Sequence, residues 1–419
     1  MHLSARFTSL VDAYPRLLWM LGIGSFLHSV GFAFIWPLTT IYIHDHMGQS
    51  MTVAGVVLLF HSAGAALGQL AGGWLTDRIG ARRVILTGLT LSALLMVVLG
   101  RYESWPVYVA VMIAFGITSS LAGPAINALV ALAWPNGGRR AFNFNYVAHN
   151  LGVAVGTVVG GLLADISFSV AFYGAAILFG LFVIFAFAAI RPAGAEPHRD
   201  PRAVGAGPAQ GDGGGLAGTT PAAPEWPVPW LPVVALFVAY LTVWLVYMQW
   251  PVGVSVHMQA LGFDLSVYSL LWTLNGALIV VGQPLLSWVL RRVRRAAAQM
   301  VLGLALIAAA LALLLTSSRY GVFVGSMVLL TFGEMLLWPV IPASVARLSP
   351  PSRRGTLQGF ILSGATFGRM LGPLLGGMLY DASGFNVQIA VMSAGLVVPL
   401  LAVLLFDRTR PAMVPAEGD

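Results

Sequence analysis

The chain has 419 residues, of which 58% are apolar and only 9% charged, with a mean hydropathy of +0.85. Soluble globules carry about 25% charged residues, so this composition excludes that class and predicts an integral membrane protein. Cysteine is absent, which rules out disulfides and thiolate metal sites, and the net charge of +7 comes from 22 basic residues that are all arginines.

Apolar runs long enough to cross a bilayer, about 18 residues or more, recur along the whole chain. They predict spans at 17–42, 53–75, 84–100, 105–133, 140–164 and 169–190, with the outer loop His44-Asp45-His46 after the first and a turn at Pro135-Asn136-Gly137-Gly138 after the fourth. The first run is too long for a signal peptide and reads as a retained span. Residues 191–228 are rich in Gly, Pro and Ala and read as a disordered linker. Six further spans follow at 229–253, 265–290, 296–317, 321–347, 355–380 and 386–406, and a polar tail occupies 407–419. The expected fold is all-α, with twelve transmembrane helices in two six-helix bundles, residues 1–190 and 229–406. With both termini cytoplasmic, 19 arginines fall inside, Arg101 and Arg319 outside, and Arg369 within a span. That split obeys the positive-inside rule and accounts for the basic charge without nucleic acid.

The halves repeat each other. Phe115-Gly116 maps onto Phe332-Gly333 at an offset of 217, and Gly156, Gly160, Gly161 and Asp165 map onto Gly372, Gly376, Gly377 and Asp381 at an offset of 216. Such a register implies parallel repeats about an axis along the membrane normal, with substrate bound between them near the midplane. Gly152, Gly156 and Gly160 recur every fourth residue, as do Gly364, Gly368, Gly372 and Gly376. Each row forms one helix face that admits a close neighbour, and the two spans are expected to cross each other or their neighbours at the interface that opens and closes.

The densest polar stretch is Gly72-Gly73-Trp74-Leu75-Thr76-Asp77-Arg78-Ile79-Gly80-Ala81-Arg82-Arg83. Gly73 suits close helix approach, Gly80 a tight turn, and Asp77 the acceptance of hydrogen bonds from neighbouring helix ends. The spacing Gly73-x-Leu75-x-Asp77-Arg78-x-Gly80-x-Arg82 resembles the signature between the second and third helices of major facilitator superfamily transporters. Its counterpart in the second half, Gly282 to Arg295, keeps the arginines but has no aspartate. Gly372-Pro373-Leu374-Leu375-Gly376-Gly377 is similar to the motif that drug/proton antiporters of this superfamily carry on the fifth helix; here the copy with proline lies on the eleventh.

Glu334 and Arg369 lie deep inside apolar spans, where a charge costs about 2.5–3.5 kcal/mol on insertion scales. A carboxyl escapes that cost by taking a proton, so Glu334 reads as a proton carrier; the alternative is a fixed Glu334–Arg369 ion pair. The surroundings, Gly333-Glu334-Met335-Leu336-x-x-Pro339 with Arg353-Arg354-Gly355, resemble a lactococcal-type multidrug/proton antiporter subgroup, in which the matching glutamate is implicated in proton coupling and drug recognition. Phe142-x-x-Asn145-Tyr146-x-Ala148-His149-Asn150 extends the likeness, with Asn145 standing where relatives carry aspartate.

His28, His61 and His149 could line a cavity from the first half as proton relays, or simply be hydrogen-bonded within the bundle. Tyr240, Trp244, Tyr247 and Trp250 share one face of the seventh span and would stack planar or cationic compounds, unless they form an interfacial belt. Gln249, Asn275 and Gln283 are polar groups for orienting substrate or for bonding helix to helix. No nucleophile–base constellation, nucleotide loop or metal cluster is present in the sequence, so neither enzyme chemistry nor a cofactor is expected. The resemblance implies a secondary transporter, monomeric by default, exporting lipophilic or cationic compounds in exchange for protons. A transporter of one metabolite is the alternative, and a transport-dead sensor or scaffold a more distant one.

Overall fold

The computed structural model describes residues 14–35, 39, 42–49, 51–190 and 225–410, all helical or in short connections. The segment 191–224 and the residues after 410, where a linker and most of the tail are expected, lie outside the described residues. The helices are α1 Arg16–Ala33, α2 Met51–Ile79, α3 Ala81–Arg101, α4 Trp105–Ala133, α5 Arg139–Ile166 and α6 Phe168–Ala189. There follow α7 Trp230–Tyr247, α8 Ser255–Ala260, α9 Leu265–Val281, α10 Gln283–Arg292, α11 Ala296–Leu314, α12 Tyr320–Leu337, α13 Val340–Leu348, α14 Arg354–Gly395 and α15 Val397–Thr409.

Local chemistry sets the breaks. Gly80, at φ 86°, turns the chain between α2 and α3 in a backbone region that costs glycine little. Ser167 caps α6, its hydroxyl accepting from the Val170 N–H at 3.1 Å. Gly282 and Pro284 separate α9 from α10, and the pair bends by 58° because proline supplies no N–H to the helix ladder. Inside α14, Gly384 leaves the helical region altogether, at φ 76° and ψ 176°.

Among the described residues, ten helical stretches are long and apolar enough to cross a membrane, and the bent α9–α10 pair makes an eleventh. One of the ten, Pro351–Thr409, has 59 residues. At about 1.5 Å per residue it would reach roughly 88 Å, far beyond a hydrocarbon core of about 30 Å. The Gly384 break divides it into two spans, and the total is twelve. The fold is all-α, twelve spans in two like bundles. Its boundaries differ from the sequence reading mainly at irregular points: α1 ends at Ala33 and the last helix runs to Thr409, past 406.

Each half has its own buried core, one built from residues 18–190 with Ala343, the other from 233–406. The like packing inside them is plainest at the glycine rows. A Cβ at Gly152 or Gly156 would strike the carbonyls of Phe26 and Val30 on α1, and one at Gly160 the backbone of Phe34 just beyond it. A Cβ at Gly364, Gly368, Gly372 or Gly376 would strike Phe237, Leu241 and Leu245 on α7, and then Gln249 just beyond it. The two rows therefore do not meet each other: each seats its helix on the first span of its own half, and only the pairing is repeated. Gly161 and Gly377 have nothing within 4 Å of such a Cβ, so they take no part in close packing. Pro373 lies within α14, between Gly372 and Gly376. A third row, Gly64, Gly68 and Gly72 on α2, approaches the carbonyls of Ile113, Ile117 and Leu121 on α4; its every-fourth spacing was there to be read in the sequence.

Valine at Gly368 is expected to cost about 1–3 kcal/mol by overpacking, because the obstacle is the Leu241 carbonyl and not a movable side-chain tip. Thermal unfolding of the purified protein should show a clear drop for Gly368→Val, with Gly377→Ala close to the parent.

Candidate functional site

Where the bundles meet, the Gly73-to-Arg82 stretch sits at the arginine-bearing face. Asp77, near the end of α2, accepts from two main-chain donors of the other half, Gly355 N–H and Thr356 N–H, each at 2.7 Å. These are first-turn amides of α14, which have no partner within their own helix. The approach is tight enough that a Cβ on Gly73 would strike the Gly355 carbonyl, and one on Gly355 would come within 2.8 Å of Asp77 Oδ1. Arg78 and Arg82 stay within the first half: Arg78 lies 4.5 Å over the Trp74 ring, and Arg82 donates to the Phe187 carbonyl at 3.0 Å. Arg139 Nη2 to the Met335 carbonyl at 2.7 Å, Asn143 Nδ2 to Gln283 Oε1 at 2.9 Å and Asn127 Nδ2 to Gln358 Oε1 at 3.2 Å also join the halves. The structure is closed at this face.

Deeper in, the residues sort into two poles. Glu334 on α12 is 3% exposed and accepts from Asn275 Nδ2 at 2.7 Å; Asn275 is held in turn by Thr331 Oγ1 at 3.0 Å. The hydroxyls of Tyr146 on α5 and Tyr247 on α7 face the carboxyl, that of Tyr146 without completing a hydrogen bond. Arg369 on α14 forms the other pole. Its Nη2 donates to Thr366 Oγ1 at 2.7 Å, and Thr366 donates to Gln69 Oε1 of the first half at 2.9 Å. The guanidinium lies 4.7 Å over the Trp244 ring. Among the described residues no carboxylate pairs with Arg369, so the fixed Glu334–Arg369 bridge held open by the sequence reading is not formed here.

His149 stands within electrostatic reach of His28 in its own half and of Arg369 across the interface, and its Nδ1 is 2.5 Å from Ser29 Oγ. Part of its side-chain surface is left uncovered by other residues, where groups of both halves come together. His28, packed against Phe32 and Phe179, keeps its Nε2 without a hydrogen bond. Asn145 accepts from Ser25 Oγ at 2.5 Å, and Asn150 turns onto the Tyr146 carbonyl of its own helix at 2.9 Å.

The aromatic face of α7 points inward, around a residue that pattern reading passed over. Trp338, just after α12, stacks on Trp244 with ring centroids 4.6 Å apart and meets Tyr240 and Tyr247 edge-on at 5.8 and 5.5 Å. It follows Glu334 by four residues, so the helical period puts both on one face; that was the available signal. Trp250 is instead wholly buried.

Two expected cavity residues are placed elsewhere. His61 is 3% exposed, its Nδ1 2.9 Å from the Met112 carbonyl on α4. Gln249 is fully buried, donating to the Leu245 and Gly372 carbonyls at 2.9 and 3.1 Å and accepting from Gln388 Nε2 at 2.8 Å. An amide so satisfied binds helices, not substrate.

Twelve spans in two like bundles, with polar and ionisable side chains buried where they meet and the halves joined at one face, define a membrane transporter and not an enzyme. The chain belongs to the Major Facilitator Superfamily, whose family model matches residues 21–334 and 234–418. It is 38% identical, over 398 residues covering 94% of this chain and 96% of the relative, to the uncharacterized MFS-type transporter YttB of Bacillus subtilis (strain 168). Similarity to the multidrug resistance protein MdtH of Shigella dysenteriae serotype 1 (strain Sd197) is 28% over 165 residues, 39% of this chain and 41% of that protein. In fold it matches the crystal structure of the human organic anion transporter MFSD10 (TETRAN) with a TM-score of 0.72, 18% sequence identity and coverage of 93% and 99% of the two chains.

Proposed function

We propose that this protein is a proton-coupled exporter of lipophilic small molecules, cationic compounds among them, that works by alternating access. Residues 1–190 and 229–406 act as the two rocking halves, joined by 191–228, and the arginine-bearing face is cytoplasmic. The position of Glu334 carries the reading. It is a carboxyl nearly out of contact with water, held by the Asn275 amide and faced by two phenols at the boundary between the halves. A group so placed can be neutral or charged at modest cost only if its proton has a route out. Tyr146 and His149 lie three residues apart, on one face of α5, and would lead a proton from the cavity to it.

With the arginine-bearing face closed, Glu334 takes a proton as substrate leaves to the other side. The Asp77 contacts then yield, the cavity opens to the cytoplasm, the proton departs and new substrate binds. The aromatic group of Tyr240, Trp244, Tyr247 and Trp338, buried in this state apart from Trp244, would meet planar apolar bodies as the halves part, which suits a range of lipophilic substrates better than one hydrophilic metabolite.

The test is transport into liposomes containing the purified protein, with a panel of lipophilic dyes and an imposed pH gradient. Dye movement is expected to follow the size of the gradient and to cease when a protonophore collapses it. Movement indifferent to the gradient sinks the coupling.

A further inference from the structure

The proposed reading uses the acidic pole of the cavity and leaves the basic pole without a task. Among the described residues Arg369 has one hydrogen bond, to a neutral hydroxyl, and one aromatic face. A guanidinium carries several N–H donors in a rigid planar fork matched to carboxylate, sulfonate or phosphate oxygens. Retaining its charge inside a membrane protein without a carboxylate partner is costly. The side chain is also held in place from three sides: Trp244 lies beneath it, Thr366 fixes one nitrogen, and Gln69 anchors Thr366 from the other half. The neighbouring groups add no negative charge. His149 and Tyr240 are the titratable groups within electrostatic reach, and the unbonded Nε2 of His28 lies beyond His149 on α1. The result is a rigid cationic fork, with donors to spare, beside an aromatic surface that continues from Trp244 to Trp338.

We propose that Arg369 is the anion subsite of the cavity, and that the lipophilic substrates carry an anionic group. A carboxylate or sulfonate would take the free edge of the guanidinium while the aromatic body lies against the partly exposed Trp244, which Trp338 backs. This assignment rests on the transporter reading and narrows it, favouring lipophilic anions and zwitterions over simple cations. Because Thr366 ties Arg369 to Gln69, a head group seated there also touches the contact between the halves.

The test uses a matched pair of probes, 2-naphthoate and the uncharged 2-naphthamide, titrated against the full chain in nanodiscs without any gradient, with quenching of tryptophan fluorescence as the readout. The parent is expected to bind the carboxylate at least about tenfold more tightly than the amide, the order of one charge-assisted bidentate contact. Arg369→Gln should abolish the difference, Arg369→Lys should keep part of it, and Gly377→Ala, where an added methyl meets nothing within 4 Å, should leave it in place. Equal affinity of the parent for both probes, or saturable binding of neither, overturns the proposal without using any variant. Persistence of the preference in a folded Arg369→Gln protein overturns it as well. Since binding is read at equilibrium, a failed anion subsite and a failed proton coupling give separate results.

Discussion

Replacing Asp77 by asparagine is expected to loosen the closed face and shift the protein toward the state open to the arginine-bearing side. The carboxylate receives two N–H donors at 2.7 Å, both from the first turn of α14, where the helix dipole favours negative charge. Asparagine keeps one acceptor, loses the charge, and turns an NH2 group toward a donor. Hydrogen bonds to charged groups contribute about 1.5–3 kcal/mol each, so loss of one shifts the ratio of the two states by about 10–150-fold. The protein should still fold, because the Gly73, Gly355 and Gly359 contacts between α2 and α14 do not depend on the carboxylate. With no native cysteine to remove, spin labels at Ile79 and Arg353 can report the separation of the halves directly. The parent should give a short distance and Asp77→Asn a long or mixed one, with transport slowed about tenfold or more. An unchanged distance distribution would mean that the glycine contacts alone keep this face shut.

What could be read from the sequence, and what could not, follows from the range of the forces involved. Spans are set by the local cost of exposing backbone and polar groups to lipid, so the hydropathy of each run places its helix almost wherever no glycine or proline intervenes. The irregular points, Gly282 and Gly384, are local too, yet an isolated glycine leaves open whether the chain bends or continues. Asp77 was legible as a helix-end acceptor because a short loop offers it little else, but its partners on α14 lie 278 and 279 residues away. The glycine rows showed that close neighbours exist and not which ones; both were assigned toward the moving interface, and both seat their helices inside a half. Gln249 and His61 illustrate the same gap. A lone amide or imidazole on an apolar helix suits a cavity or a neighbouring carbonyl equally well, and only the packing decides. Trp338 is not legible from the helical period of α7 alone, because the cluster draws on two helices.

The substitution Glu334→Gln is expected to separate substrate movement from the proton gradient while sparing the fold. The new amide would keep the shape of the carboxyl and an oxygen to accept from Asn275 Nδ2, the contact made at 2.7 Å in the parent. It would also remove a buried ionisable group, so thermal stability should hold or rise. What it cannot do is gain and lose a proton. Coupling between two ligands is generally worth about 1–3 kcal/mol, or about 5–150-fold in affinity, and with the proton's site removed that dependence should vanish. In liposomes the parent should concentrate substrate in proportion to the pH gradient. Glu334→Gln should bring internal and external concentrations only to equality, at a rate indifferent to the gradient, yet still exchange labelled for unlabelled substrate. Exchange without accumulation is the diagnostic pattern, because a misfolded or blocked protein would show neither. Accumulation that survives in the variant would move the proton to another group, and His149, only partly covered and hydrogen-bonded to Ser29, is the next residue to replace.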